Sequence, residues 1–202
     1  NFFADITQRR ELDETIKNLA YHDTLTQLPN RRLLLDRLDQ TQTSTKRNSN
    51  WAGLVFLDLD RFKILNDTHG HQAGDLLLVE VARRLVSCVR GIDTVARLGG
   101  DEFVVLLSDL GGTEDQAQHA MHHVTEKMLI TLAQPYELTW QEGDATLAAS
   151  HQCSASAGLV LFTGNTSAAH TLLEQADAAM YAAKIAGRNQ LKMYTPDTPA
   201  VH

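Results

Sequence analysis

Between Trp51 and Asp60 the chain reads WAGLVFLDLD, with apolar residues at odd and even positions alike before two acids close the run. A strand apolar on both faces belongs at the centre of a sheet with helices on either side. The rest of the sequence has to be arranged around it. Within residues 71–90, Leu77, Val81, Leu85 and Cys88 recur at the spacing of an amphipathic helix packed on a sheet, with Gly91 as its stop. TVARL, Gly99-Gly100-Asp101-Glu102 and FVVLLS then give two β-type runs around a Gly-rich acidic turn, which predicts a hairpin. Upstream, a helix is expected from Asn30 through LLLDRLDQ, dissolving into the polar TQTSTKRNSN as a surface loop. Downstream, residues 114–133 read as a helix, and YELTW and SASAGLVLF as strands. Leu172, Ala176, Ala179, Met180 and Ala183 mark a last helix ending near Gly187, with KMY as a closing edge strand. This order predicts an α/β (α+β) fold with a mixed central sheet covered by helices.

The composition narrows the function. A chain of 202 residues with 43% hydrophobic content suits one sizeable core. Its formal charge of −7 supplies no global basic field, so neither DNA, RNA nor an anionic membrane is an expected partner, and any polyanion must be held locally. The longest apolar runs, such as Leu54–Leu57 and Val104–Leu107, fall far short of the ~20 residues that cross a bilayer. Cys88 and Cys153 lack the spacing of a disulfide framework or a zinc site, as expected of reduced thiols in the cytoplasm. The start at Asn1 reads as a cut from a longer polypeptide. Leu12, Ile16 and Leu19 form a narrow stripe over residues 7–20, the pattern of a connector helix.

Asp58 and Asp60, two apart at a strand end, leave the same face. If the hairpin strand pairs beside this one, Asp101 and Glu102 arrive at the same edge. Carboxylates crowded in this way repel unless a divalent cation neutralises them, and Mg²⁺ bridging substrate phosphates suits hard oxygen donors. By spacing alone, a solvated Gly-Gly-Asp-Glu turn accounts for the same residues. His71 and Asp75, four apart, share one helix face and can converge on a ligand, or cap the helix start. Arg90-Gly91-Ile92-Asp93 reads alone as a local ion pair. His119, His122 and His123 fall on a polar helix face, Ser150, Ser154 and Ser156 show no triad partners, and no phosphate-binding GxxxxGK[ST] loop occurs.

Taken together, DTLTQLPNRR at 23–32, LDLDRFKILNDTHGHQAGD at 57–75, RLGGDEF at 97–103 and ADAAMYAAKIAGRN at 176–189 resemble the GGDEF domain of diguanylate cyclases. The resemblance implies a fold like the palm of nucleotidyl cyclases and polymerases, with the GGDEF turn on a β-hairpin. It also implies condensation of two GTP into cyclic di-GMP with release of pyrophosphate. Carried over by position, Asp58, the backbone carbonyl of Leu59 and Asp101 would hold Mg²⁺, two ions per half-site, with Mn²⁺ as an alternative. Asp101 would also be the base, Glu102 would support the second ion or the proton transfer, and Lys63 would meet the phosphates. Asn66, His71 and Asp75 would read guanine, while Lys184 and Arg188 would hold the triphosphate. Arg90 and Asp93 match the family's inhibitory product site for cyclic di-GMP.

FFADITQRREL resembles the last strand of a PAS sensor followed by a signalling helix. The expected division is sensor end and connector at 1–20, cyclase domain at 21–196 and tail at 197–202. The expected assembly is a cytoplasmic homodimer with a sensor upstream in the same chain. Gln27 departs from the family, which commonly has Gly there, a change expected to alter local backbone and not chemistry. A rival reading keeps the fold and drops the chemistry: a silent module that binds GTP or cyclic di-GMP and regulates an attached domain.

Overall fold

The computed structural model describes residues 20–164 and 167–198. The connector helix, Ala20 apart, the PAS-like stretch and residues 199–202 of the tail lie outside the described residues. In chain order the elements are α1 (Arg31–Asn48), β1 (Ala52–Leu59), α2 (Phe62–Cys88), β2 (Thr94–Gly99), β3 (Glu102–Leu107), α3 (Glu114–Leu132), β4 (Tyr136–Glu142), β5 (Ala145–His151), β6 (Ala155–Phe162), α4 (Ala169–Ile185) and β7 (Leu191–Met193).

β1 is buried along its whole length and lies at the centre of a five-stranded sheet ordered β2-β3-β1-β6-β7. It pairs antiparallel with β3 and β6, while β7 joins β6 in parallel, so the sheet is mixed as expected. The two parities of β1 feed two cores. Val55, Leu57 and Leu59 pack with Leu65, Leu77 and Leu85 of α2 and Met121 and Met128 of α3. Ala52, Leu54 and Phe56 pack with Leu34 and Leu38 of α1 and Leu172 and Met180 of α4. A one-residue slip of β1 would exchange both cores at once, which fixes the register and with it the position of Asp58. On the α4 side the backbones nearly touch. A Cβ on Gly158 of β6 would sit 2.0 Å from the Ala176 carbonyl oxygen, so only glycine lets α4 lie this close to the sheet.

One expectation is corrected, and two further segments are regular where none was expected. TQTSTKRNSN is not a loop: α1 continues through it to Asn48. Its polar residues include an inner face, where Gln42 Nε2 donates to the Ser167 carbonyl (2.6 Å) and Thr45 Oγ1 accepts from Gly164 N (2.9 Å). Composition alone hid this face because satisfied polar groups replace apolar ones. Residues 62–69 are helical too, since α2 begins at Phe62 and is broken at Gly70 (φ 82°), which shifts the phase of its apolar pattern. Finally, β5 pairs with β4 in a separate hairpin. None of its residues is fully buried, and its alternation runs only between exposed and half-buried positions, too weak a contrast to mark a strand. β4 anchors that hairpin through buried Tyr136, whose ring lies 3.6 Å beneath the Arg84 guanidinium.

Candidate active site

The site forms where β1 ends and β3 begins. Asp58 stands opposite Glu102 on one side and Ser156 on the other, so the hairpin delivers its acids to the end of β1 as expected. Gly99 and Gly100, with φ of 150° and 50°, make a turn that an L-residue with a side chain seldom adopts. Arg97 braces that turn by donating Nε and Nη2 to the Gly100 carbonyl (3.0 and 2.8 Å) and Nη1 to Asp23 Oδ1 (2.9 Å). Asp101 reaches back through its carbonyl, which accepts from Leu59 N at 3.4 Å. The Leu59 side chain is buried in the core, leaving only its backbone for the cleft.

α4 lays Lys184 across this edge, with Nζ 2.7 Å from Asp58 Oδ1. Asp177, two turns earlier on the same helix, adds a further acid that the sequence reading missed. The i, i+7 spacing from Lys184 was its available signal. Burial, reinforced by the charges of Asp101 and Glu102 and opposed by Lys184, pushes the Asp58 carboxyl up to about 6. Burial followed by the charges of Asp177 and Asp101 raises Glu102, and burial raises Asp177. The edge therefore holds more negative charge than its nearby cations neutralise.

Asp60 does not join this group. Its carboxylate accepts from Ser154 Oγ (2.6 Å), Ser156 Oγ (2.8 Å) and Asn189 N (3.0 Å), so it ties β1, β6 and the segment after α4 together. Among the described residues, no three or more His, Cys, Asp or Glu side chains are close enough to hold a metal ion. The oxygen donors at the edge and their raised carboxyl groups nevertheless fit a hard divalent cation in chemistry. In the arrangement seen, Lys184 supplies the positive charge at Asp58.

Lys63 and Asn66 lie on the first turns of α2, and His71 and Asp75 follow the break at Gly70. Lys63, His71 and Asp75 are exposed. Asn66 Oδ1 is buried without a hydrogen-bond partner, against Gly74, where a Cβ would come within 1.9 Å of it. The break thus brings Asn66 beside the turn that carries Asp75. Arg188, just beyond α4, lines a cavity with Asp60 and Arg61.

Arg90 and Asp93 lie at the opposite end of the hairpin and pair with each other at 3.3 Å. Asp93 also accepts from Arg90 N (2.9 Å) and Ser108 N (3.0 Å). Gln27 holds φ 60°, so the residue that stands in place of glycine keeps a left-handed backbone. Among the described residues, no helix is long and apolar enough to cross a membrane.

Comparison with known proteins agrees with the fold. Residues 20–190 match the family described as diguanylate cyclase, GGDEF domain, whose cyclases are generally metal-dependent. The chain is 45% identical over 171 residues to the bifunctional diguanylate cyclase/cyclic di-GMP phosphodiesterase MucR of Pseudomonas aeruginosa, an alignment spanning 85% of this chain but only 23% of MucR. It resembles the solved GGDEF domain of TpbB (YfiN) from Pseudomonas aeruginosa at 33% identity and a TM-score of 0.78, over 89% of this chain and 97% of that one. The coiled coil and GGDEF domain of DgcB from Caulobacter crescentus, solved in complex with c-di-GMP, matches at 27% identity and a TM-score of 0.78, over 95% and 94% of the two chains. Sheet order, the glycine turn between β2 and β3 and the match over residues 20–190 lead to one conclusion: the chain belongs to the GGDEF family of diguanylate cyclase domains.

Proposed function

We propose that this domain is an active diguanylate cyclase that condenses two GTP into cyclic di-GMP. The observation that carries the reading is the surplus of carboxylates, Asp58 opposite Glu102 beside Asp101, at a sheet edge crossed by Lys184. In each half-reaction the 3′-hydroxyl of one nucleotide attacks the α-phosphorus of the other. The bond to the β-phosphate breaks, pyrophosphate leaves, and Asp101 accepts the hydroxyl proton. Lys63, Lys184 and Arg188 hold the phosphates and stabilise charge that grows in the transition state. Asn66, His71 and Asp75 read guanine, His71 and Asp75 from the exposed face of α2 after Gly70.

Asp58, the Leu59 carbonyl and Asp101 are the residues to hold Mg²⁺, or Mn²⁺, with Glu102 supporting a second ion or the proton transfer. A bound divalent ion supplies charge neutralisation and polarises the reacting oxygen atoms. One acid cluster per chain serves one 3′-hydroxyl, so two chains face each other as a homodimer. Cyclic di-GMP binds back at Arg90 and Asp93 and restrains synthesis. The reaction belongs in the cytoplasm, where GTP is. Residues 1–20 would connect the cyclase domain at 21–196 to a sensor, with 197–202 as a tail. Incubating the purified protein with GTP and Mg²⁺ and identifying the product by mass tests the reading. Cyclic di-GMP is the expected product. GTP binding without product would establish the silent, regulatory module instead.

A further inference from the structure

The residues assigned to guanine flank a stretch of α2 that the core does not hold. Leu65 and Ala73 are buried, and residues 67–72 between them are all exposed. Gly70 breaks the helix there with φ 82° and ψ 169°. A Cβ built on Gly70 would meet nothing within 4 Å, so no packed group clamps the break at the glycine itself. Yet the angle of the break sets how Asn66 before it stands to His71 and Asp75 after it. A glycine free to adopt other backbone angles needs support from elsewhere in the fold to keep one of them.

One contact supplies that support. His69, the residue before Gly70, meets Trp140 of β4 edge to face, with ring centroids 6.0 Å apart and planes at 73°. His69 is exposed, so the pair does not serve to bury it. Trp140 is the fixed half, packed against the main core. It belongs to a hairpin paired without interruption from Tyr136 opposite His151 to Glu142 opposite Ala145. The root of that hairpin is tied to the far half of α2. There Arg84 lies over the Tyr136 ring and donates to the carbonyls of Thr131, Gln134 and Pro135 (3.1, 2.7 and 2.6 Å). The hairpin therefore runs from the unbroken half of α2 back to its break.

We propose that the β4–β5 hairpin braces the guanine site, with Trp140 as a positioning residue that acts on base specificity through His69. The inference rests on the reading of Asn66, His71 and Asp75 as the guanine-binding residues. An edge-to-face ring pair at this separation is strong enough to bias a break with two arrangements several-fold. A site competent in only one of them loses affinity in proportion to the fraction that leaves it. The brace also gives a part to β4 and β5, which form a sheet of their own and stand apart from the acidic edge. His69 and Trp140 carried no signal in the sequence, because 71 positions separate them and only the fold brings the rings together.

Calorimetric titration with non-hydrolysable analogues of GTP and ATP, each with Mg²⁺, reads base preference without turnover. Trp140→Ala should lower the ratio of GTP-analogue to ATP-analogue affinity roughly twofold to tenfold, the range that such a ring pair supports. The change should come from weaker binding of the GTP analogue alone. Trp140→Phe keeps a ring and should recover most of the ratio. His69→Ala, at an exposed position, should reproduce the loss, and the double variant should lose no more than either single one. A folded Trp140→Ala with the wild-type ratio, an equal loss for both analogues, or losses that add in the double variant overturns the proposal. Should Trp140→Ala not fold, an unchanged ratio in His69→Ala overturns it. Failure of the cyclase reading shows separately. A wild type that makes cyclic di-GMP while the variants keep its ratio removes the brace alone. A Trp140-dependent ratio without any product refutes the cyclase and keeps the brace. A wild type that does not prefer the GTP analogue overturns the guanine reading and the proposal with it.

Discussion

The two ends of β3 handle charge in opposite ways. At the Glu102 end, Asp58, Asp101, Glu102 and Asp177 gather around Lys184; burial raises three of them, with repulsion from neighbouring acids adding to it at Asp58 and Glu102. At the Ser108 end, Asp93 is almost fully enclosed, its side chain 2% exposed. It is satisfied by Arg90 N, the Arg90 guanidinium and Ser108 N. One end lacks cations and gains from a ligand that brings them. The other is complete, and a ligand there must first open a local pair. The arginine is the movable half of that pair, since its side chain is 54% exposed.

The largest expected effect is at the deficient end. Asp101→Asn should lower cyclic di-GMP synthesis by roughly 10²- to 10⁴-fold, the usual worth of a positioned general base, because an amide neither takes the proton nor holds the ion as tightly. The fold should survive, because among the described residues the Asp101 contact to the rest of the sheet is through its carbonyl. Comparable synthesis by the folded variant would remove Asp101 from the chemistry. At the satisfied end, Arg90→Ala should leave the initial rate largely intact and let product accumulate well beyond the wild-type plateau. Calorimetry should show cyclic di-GMP binding to wild type and severe weakening in the variant. Equal binding by both would place any product site elsewhere.

This contrast was only partly legible in the sequence. The apolar residues on both parities of 51–60 gave the central strand, and the glycines before Asp101 gave the hairpin, so Asp58 and Glu102 could be placed at one edge before any coordinates. Asp60 was grouped with Asp58 by parity, correctly for its face. Its partners Ser154 and Ser156 lie more than 90 residues away, and no local pattern announces them. Asp177 affects Glu102 only because Gly158 lets α4 approach the sheet. The polar end of α1 misled because Gln42 and Thr45 are buried through hydrogen bonds, where binary patterning expects apolar side chains. Pattern reading found the elements that bury hydrocarbon and missed those held by polar contacts.

A stability measurement sharpens the comparison further. Asp93→Ala leaves Arg90 N and Ser108 N without their acceptor, so it should destabilise the fold by about 1–3 kcal/mol in urea unfolding. Asp101→Asn, which breaks no side-chain hydrogen bond among the described residues, should stay within about 0.5 kcal/mol of wild type. Equal losses in the two variants would mean that the two ends do not differ in how far their charges are satisfied.

The smallest effect concerns pH. Burial pushes the Asp58 carboxyl up to about 6 in the folded protein, from the ordinary value of 3.8 that it keeps in the unfolded chain. Between these values the native state holds a proton that the unfolded chain has released. Asp58 therefore favours the fold below the unfolded value, and this contribution is lost as pH rises through about 6. Glu102 and Asp177, also raised, act in the same sense, whereas Asp23 and Glu80, both lowered, favour the fold at higher pH. The total slope thus mixes opposing groups, and a comparison of variants isolates the one of interest. With chelator present, wild type should lose more stability from pH 5 to pH 7 than Asp58→Asn, whose amide does not titrate. Loss of the Lys184 pair shifts the variant's baseline but not this difference in slope. Adding Mg²⁺ at pH 7 should then raise the melting temperature of wild type more than that of the variant, because a ligand that binds only the native state stabilises it by mass action. Parallel pH profiles would show that the acid edge is not short of positive charge, and the contrast between the two ends of β3 would fail at its more important end.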